Sequence, residues 1–253
     1  MSDPLVSCLT VTYGRPLLLG EAVKCFLDQD YENKELIILN DQEGVTLKID
    51  ACPDNIKIHN HPNRFNSLGE KRNYLTTLAN GDYYCIWDDD DLYTFWRISA
   101  SVEIFRKNKY VDIVKSKYAL MSIDNQNYMM VANLFHSQAC IGKKYMDKTE
   151  YPNKSVGEDI AFESGARIGS FDLNPYFWYV YRWGLNIHHL SGISDDKASW
   201  EKSVGFEPYT KVQGEVIIEP KFENDYWKDI GDFLETKSKK YANEWREKIK
   251  DLD

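Results

Sequence analysis

The feature that most constrains the fold is an aromatic, strand-like run that ends in consecutive carboxylates. Residues 82–87 are followed directly by the acidic run, Asp88–Asp91. A strand that enters a core should not end on clustered like charges, because each carboxylate raises the energy of its neighbours. A divalent cation would relieve that repulsion, and Mg²⁺ or Mn²⁺ commonly takes one or two carboxylates together with substrate phosphates. If the chain turns sharply, Asp88 and Asp90 could face one ion. The alternative is a solvated acidic turn that caps the next helix.

The first 110 residues alternate between the apolar periodicities of strands and helices. Predicted strands cover 5–11, 35–39, 55–59 and 82–87, and predicted helices cover 16–29, 67–79 and 95–105. This order is typical of a parallel α/β sheet, in which ligands bind beyond the carboxyl ends of the strands. Thr12-Tyr13, Asn40-Asp41 and the acidic run all follow predicted strands. We therefore expect them to meet at one edge, and this expectation favours the metal site over the solvated turn.

The second half of the chain is less regular. We predict strands at 111–116, 117–123, 128–134 and 172–181, a helix at 160–168, and a helical tail at 224–253. The predicted organisation is one domain over 1–222, with halves at 1–110 and 111–222, followed by a C-terminal helical extension over 223–253.

Composition and charge limit the possible partners and the compartment. A net charge of −9 argues against broad nucleic-acid binding, which needs clustered basic residues. The five cysteines form no C-x-x-C pair and are expected to be free thiols of a reducing compartment. No basic segment precedes a long apolar run at the N-terminus, and no apolar run approaches the roughly 20 residues of a membrane span. We expect a cytoplasmic protein without a transmembrane segment.

Five sequence blocks together resemble a known family. They are Val6–Pro16, Leu39–Glu43, Lys71–Asn73 with Ala79–Tyr83, Ile86–Asp91, and Gly157–Asp159. In this order they resemble the T-Y-N-R, V-D-D-G-S, A-R-N, D-x-D and E-D motifs of the family-two inverting glycosyltransferases. The chain departs from the pattern at Gly14, where Asn is usual, and at Gln42-Glu43, which replace Gly-Ser. After residue 110 the resemblance is carried mainly by Glu158-Asp159.

The resemblance implies an α/β GT-A fold, a mixed sheet flanked by helices, with a nucleotide-sugar-binding half at 1–110 and an acceptor-binding half at 111–222. It implies a nucleotide-sugar site formed by Thr12, Tyr13, Arg15, Asp41, Arg72, Asp88 and Asp89. Asp90, Asp88 and His189 would hold Mn²⁺ or Mg²⁺, although His188 could replace His189 and either histidine could be purely structural. Arg72 could instead form a structural salt bridge, and Asp91 could hold a metal-bound water or cap the next helix. His136 lies in no comparable context.

The implied reaction moves a sugar from a nucleotide-diphosphate donor to an acceptor hydroxyl with inversion. Asp159 would be the general base and Glu158 would orient the acceptor, although two acidic residues at a helix N-terminus can also be purely structural. Asp41 favours a UDP-linked donor, because a carboxylate can accept the uracil N3–H. The acceptor stays open among a glycan, a lipid-linked sugar, a protein and a modified base. The alternatives are a nucleotidyltransferase of similar fold and a binding module without turnover.

Overall fold

Thirteen strands and seven α-helices form from residues 2–123, 127–132, 135–171, 177–183 and 213–250, the part of the chain that the computed structural model describes. The strands are β1 Val6–Thr12, β2 Lys34–Asn40, β3 Val45–Lys48, β4 Ile56–Asn60, β5 Tyr83–Ile86, β6 Leu92–Tyr93, β7 Ile113–Ser116, β8 Ala119–Ile123, β9 Asn127–Val131, β10 Cys140–Gly142, β11 Ile168–Phe171, β12 Tyr179–Trp183 and β13 Gly214–Ile217. The helices are α1 Pro16–Leu27, α2 Leu68–Thr77, α3 Arg97–Lys107, α4 Lys143–Met146, α5 Glu158–Glu163, α6 Tyr226–Lys237 and α7 Lys239–Ile249.

The central sheet has seven strands in the order β11-β7-β10-β5-β1-β2-β4. Only β10 runs antiparallel to its neighbours β5 and β7 among these described strands, so the sheet is mixed. All seven residues of β1 are buried, as the continuous apolar run predicts for a strand covered on both faces. Thr12 pairs with Asn40, and Leu9 pairs with Ile86. The loops that follow β1, β2 and β5 therefore leave the same edge of the sheet.

Two smaller sheets complete the strand pairing. One has the order β6-β12-β8-β9, and the other pairs β13 with β3. Strand β6 follows the acidic run directly, and its Tyr93 pairs with Tyr179 of β12. The acidic run is therefore held between the central sheet on its N-terminal side and the four-stranded sheet on its C-terminal side.

The C-terminal segment packs against the core as a pair of helices. Trp245 of α7 is buried, and its ring centroid lies 5.5 Å from that of Trp96 and 5.4 Å from that of Phe177. Ahead of these helices, the backbone passes so close to α1 that a Cβ on Gly20 would lie 2.3 Å from the carbonyl oxygen of Glu219. Only glycine fits there. None of the helices in the described ranges has the length and apolar character needed to cross a bilayer.

Three of the sequence-based element predictions were wrong in detail. In the described part of the strand predicted at 172–181, residues 177 and 178 are not in a strand and β12 begins at Tyr179; residues 172–176 lie outside the described residues. The helix predicted at 160–168 begins at Glu158, after Gly157 in the left-handed region (φ 68°), and ends at Glu163. The tail is two helices, because Ser238 adopts an extended backbone and caps α7 through Tyr241.

Candidate functional site

The acidic run lies in the interior of the protein. Asp89, Asp90 and Asp91 are 0%, 7% and 1% exposed. Helix α3 begins only at Arg97, and its N-cap residue, Trp96, makes no side-chain capping bond. The alternative of a solvated acidic turn capping a helix is therefore wrong. Burying several carboxylates is costly unless each is paired or hydrogen-bonded, so their partners define the site.

Arg15, in the loop after β1, lies across two of these carboxylates. Its Nη2 and Nε contact the two oxygens of Asp89, the Nε contact being 3.2 Å, and its Nη1 donates to Asp90 Oδ2 over 2.5 Å. Burial raises the pKa of Asp89 to about 6, and the Arg15 charge opposes that rise. Arg15 thus provides counter-charge for the acidic run from within the chain.

Asp91 connects the acidic run to strand β12 of the four-stranded sheet through hydrogen bonds. One of its oxygens accepts the Tyr179 hydroxyl at 2.6 Å, and the other accepts the backbone N–H of Arg182 at 3.0 Å. Burial raises the pKa of Asp91 well above its usual range. Asp91 therefore neither caps α3 nor stands open to solvent.

Asp88 connects the acidic run to helix α5. Its Oδ2 accepts the Ser137 hydroxyl at 2.6 Å, and its Oδ1 lies 3.4 Å from Nη2 of Arg72. The Nε of Arg72 lies 3.6 Å from Glu158 on α5. Arg72 thus bridges two acidic groups that are 70 residues apart in the sequence. The predicted nucleotide residues Arg72 and Asp88 and the predicted acceptor residue Glu158 come together.

The two acidic residues at the start of α5 have different surroundings. Glu158 is 4% exposed, and burial raises its pKa while the Arg72 guanidinium opposes the rise. Asp159 is half-buried, and its Oδ1 accepts the backbone N–H of Ile160 at 2.7 Å. Burial lowers the pKa of Arg72, but the carboxylates around it, including that of Asp159, outweigh this effect and raise it. Asp159 therefore lies within electrostatic range of the Arg72 bridge.

Asp41, after β2, forms a buried ion pair with Lys71 of α2. The Lys71 ammonium also donates to the carbonyl oxygen of Thr12 at 2.7 Å, and Asp41 Oδ2 accepts the backbone N–H of Phe65 at 3.1 Å. A carboxylate has about four lone-pair positions, so these two donors leave capacity for a ligand donor. The Lys71 side chain therefore fixes Asp41 relative to the end of β1.

Tyr13 and a nearby pocket lie at the same edge. The guanidinium carbon of Arg64 stands 4.3 Å from the centroid of the Tyr13 ring, so a cation covers one face of that ring. A small pocket opens beside this loop. Its lining includes Thr12 at the end of β1, Arg15 and Gln42 in the loops after β1 and β2, Val45 and Leu47 of β3, and Val216 of β13.

A second buried polar cluster lies behind Arg72 and α5. His136 Nδ1 is 2.6 Å from Glu163 Oε1, and His136 Nε2 is 2.9 Å from the Tyr151 hydroxyl. Lys115 completes the cluster at 2.7 Å from Glu163 Oε2. Burial lowers the pKa of His136, because the protonated ring would lose its hydration. The sequence assigned no role to His136, since its partners are distant in the chain and no local motif marks it.

The donor set of the acidic run suits a hard cation in chemical type. Asp88 and Asp90 offer carboxylate oxygens, and one or two of these with substrate phosphates are what Mg²⁺ or Mn²⁺ commonly takes. Within the described ranges, no three His, Cys, Asp or Glu side chains are grouped as a complete metal site. His189, the predicted third ligand, and its alternative His188 lie outside the described residues.

The comparison with protein families decides the identity. The family described as "Glycosyl transferase family 2" matches residues 7–171. This range contains the site residues discussed above except Tyr179, Arg182, His188, His189 and Val216 of the pocket. The chain belongs to glycosyl transferase family 2. The family-two resemblance predicted from the motifs is confirmed.

Curated relatives match part of the chain. WcaA of Escherichia coli (strain K12), named as a colanic acid biosynthesis glycosyl transferase, is 37% identical over 107 residues, 39% of this family 2 chain and 37% of WcaA. The uncharacterized glycosyltransferase RT0329 of Rickettsia typhi is 28% identical over 112 residues, 44% of this chain and 35% of RT0329. The chain therefore spans little more than a third of the length of these relatives.

Solved structures confirm the GT-A fold. S. aureus TarS 1–349 in complex with UDP matches with a TM-score of 0.55 at 15% identity, covering 72% of this chain and 61% of TarS 1–349. The mannosyltransferase PcManGT from Pyrobaculum calidifontis, in complex with GDP-Man and Mn²⁺, matches with a TM-score of 0.51 at 15% identity, covering 72% of this chain and 57% of PcManGT. At such identities the likeness establishes the fold alone, a mixed sheet flanked by helices.

Proposed function

We propose that this chain is a metal-dependent glycosyltransferase that moves a sugar from a UDP-linked donor to an acceptor hydroxyl with inversion. The observation that carries the proposal is the Arg72 bridge. It joins Asp88, at the carboxyl end of β5, to Glu158, beside the proposed base Asp159. The proposed donor-side carboxylate of Asp88 and the proposed acceptor-side carboxylate of Glu158 thus share the Arg72 guanidinium.

The donor end is built from the loops after β1, β2 and β5. Asp41 has hydrogen-bonding capacity for the uracil N3–H, and the Tyr13 ring with Arg64 offers a flat surface beside it. Thr12, Arg15, Asp88 and Asp89 lie at the same edge and would surround the ribose and diphosphate. Support for a nucleotide-sugar donor also comes from the relatives, since TarS was solved with UDP and with UDP-GlcNAc.

Asp90 and Asp88 are the groups that would hold Mn²⁺ or Mg²⁺, with His189 as a further candidate. When bound, such an ion supplies a Lewis acid that offsets negative charge on a diphosphate leaving group. The chain's own contribution is to hold Asp88 in place through Ser137 and Arg72. PcManGT, a structural relative, was solved in complex with Mn²⁺, which supports an Mn²⁺ site here.

At the acceptor end, Asp159 would accept the proton of the attacking hydroxyl. That oxygen forms a bond to the anomeric carbon while the bond from this carbon to the diphosphate oxygen breaks, and the electron pair leaves with the nucleotide. General-base assistance of this kind is worth about 10²–10⁴-fold. Glu158, buried and paired with Arg72, would orient the acceptor and keep Arg72 between the two ends.

The test is donor use by the purified chain. UDP-GlcNAc, UDP-glucose, UDP-galactose and GDP-mannose are each added with Mn²⁺, and thermal stabilisation and nucleotide release are recorded with and without EDTA. The proposal expects stabilisation and slow release with at least one UDP-sugar, and loss of release in EDTA. Binding of a UDP-sugar without any release, even with glycan, lipid-linked and peptide acceptors, would favour the binding module. Release of pyrophosphate from a nucleoside triphosphate would favour the nucleotidyltransferase.

A further inference from the structure

A chain of buried polar contacts begins behind the acidic run at Arg182 of β12. Arg182 is 0% exposed, and its Nε donates to the main-chain carbonyl oxygen of Asp90 at 2.6 Å. Its backbone N–H donates to Asp91 Oδ1, whose second oxygen accepts the Tyr179 hydroxyl. One residue of β12 therefore holds both the main chain at Asp90 and the side chain of the residue that follows.

The guanidinium of Arg182 is held in turn by α1. Its Nη1 forms an ion pair with Oε2 of Glu21, which is 1% exposed. A buried guanidinium without a charged acceptor would be strongly destabilising. The Glu21 carboxylate therefore supplies the counter-charge that Arg182 needs in order to be buried behind the acidic run. This ion pair explains why Glu21 is buried on α1, a helix that otherwise presents apolar residues to the core.

The C-terminal segment completes the network. Glu21 Oε1 accepts the Tyr226 hydroxyl at 2.8 Å and the backbone N–H of Glu223 at 3.0 Å. The same hydroxyl lies 3.3 Å from Arg182 Nη1. Tyr226 is 2% exposed and is the first residue of α6. One donor to Glu21 Oε1 thus comes from the first residue of α6, and the other comes from the segment just before that helix.

We infer that Arg182 is a positioning residue for Asp90 and that Glu21 and the Tyr226 hydroxyl hold Arg182 in that role. The C-terminal helices are then part of the donor site, because their first residue fixes the turn that carries the proposed metal carboxylate. The inference concerns how Asp90 is held, and its consequence for metal binding rests on the proposed function above.

The variant that tests this is Tyr226→Phe, which removes one hydroxyl and keeps the ring. The readout is hydrogen exchange of peptides that cover residues 87–93, measured on the metal-free protein. Because one intramolecular hydrogen bond is worth about fivefold in a local opening equilibrium, we expect exchange there to rise about fivefold. Arg182→Lys, which cannot reproduce the fork of guanidinium bonds, should raise it further if that variant folds.

Trp245→Phe is the matched control. In the wild-type chain, the indole Nε1 of Trp245 donates to the carbonyl oxygen of Trp227 at 2.9 Å within the same helical pair. The variant therefore also loses a hydrogen bond in the C-terminal segment. It touches neither Glu21 nor Arg182, and we expect its exchange at 87–93 to match wild type. Equal exchange at 87–93 in Tyr226→Phe and wild type, or an equal rise in both variants, would overturn the inference.

Metal affinity gives a second readout. Titration of Mn²⁺ into the UDP complex should show a dissociation constant about three- to tenfold weaker for Tyr226→Phe and unchanged for Trp245→Phe, while excess Mn²⁺ restores kcat. Unchanged Mn²⁺ affinity in Tyr226→Phe would count against the inference. If the wild-type chain binds neither Mn²⁺ nor UDP, the proposed function fails, and hydrogen exchange still decides whether Arg182 and Tyr226 hold Asp90.

Discussion

The Nη1 of Arg15 donates to Oδ2 of Asp90 over 2.5 Å, so a cation from the loop after β1 contacts the carboxylate that we propose as a metal ligand. The same guanidinium pairs with Asp89 through its other nitrogens. The Arg15 guanidinium consequently offsets part of the negative charge of the acidic run. A divalent ion that uses Asp90 must compete with Arg15 for this carboxylate.

We therefore predict that Arg15→Gln binds Mn²⁺ more tightly than wild type when no nucleotide is present. Two unit charges about 4 Å apart interact by about 4 kcal/mol near a protein surface. In the wild-type chain, the guanidinium that Mn²⁺ displaces regains its hydration, which offsets part of this energy. We therefore expect the variant to bind Mn²⁺ about tenfold more tightly in a calorimetric titration. Arg64→Gln, which removes the cation that covers one face of the Tyr13 ring, is the control. Equal Mn²⁺ affinity in Arg15→Gln and wild type would contradict the competition.

The neighbouring residues Glu158 and Asp159 allow a paired test of the proposed base. Asp159→Asn should lower kcat by about 10²–10⁴-fold, because the amide cannot take the acceptor proton, while the dissociation constant for UDP stays within about twofold. Glu158→Gln should act mainly through its contact with Arg72 and change kcat less. The measurement is initial rate against donor concentration with each variant. A larger loss of kcat in Glu158→Gln than in Asp159→Asn would exchange the two roles.

How far the sequence could predict this site depends on how local each contact is. The strands that lead to Asp41 and Asp88 were found because a buried strand shows as a continuous apolar run, and loops that follow parallel strands share an edge. The start of α2 is also encoded locally, because a serine followed three residues later by a glutamate is typical of a helix N-terminus, and Ser67 accepts the N–H of Glu70 at 3.1 Å. These features are encoded within a few residues.

The supporting contacts could not be predicted, because their partners are far apart in sequence. Arg182 and Glu21 are separated by 161 positions, and no periodicity relates a residue of β12 to one of α1. Strand β10 has only three residues, too few for a recognisable apolar pattern, and it runs antiparallel to its neighbour β5. Its place in the sheet is set by tertiary pairing with β5.

The buried pair of Asp41 and Lys71 gives a stability prediction. Removing one partner leaves an uncompensated charge in a site where the two residues are 3% and 6% exposed. We expect Asp41→Asn and Lys71→Met each to lower the free energy of unfolding by about 3 kcal/mol, and the double variant to lose less than the sum. Urea denaturation of the four proteins forms a double-mutant cycle. Additive losses would show that the two charges do not stabilise each other.

The cluster around His136 predicts how stability depends on pH. Burial lowers the pKa of His136, an effect that nearby Arg72 and Lys115 reinforce and Glu163 opposes. Burial raises the pKa of Glu163, but its bonds from His136 and Lys115 outweigh this and lower it. The unfolded chain binds a proton at the histidine near pH 6.5, before the folded chain does, so stability is lost as pH falls below about 6.5. The lowered carboxyl pKa extends that loss below about pH 4.3.

The expected slope between pH 6.5 and 5 is at most about 1.4 kcal/mol per pH unit, the value for one proton. His136→Gln keeps hydrogen-bonding groups at this position and removes the titration, so its unfolding free energy should be flatter over that interval. His61→Gln, a change at a half-buried histidine outside the cluster, should keep the wild-type slope. Urea denaturation from pH 5 to 7.5 measures all three proteins. An unchanged slope in His136→Gln would place the pH dependence elsewhere, because the buried ring would then bind its proton as readily in the folded chain as in the unfolded one.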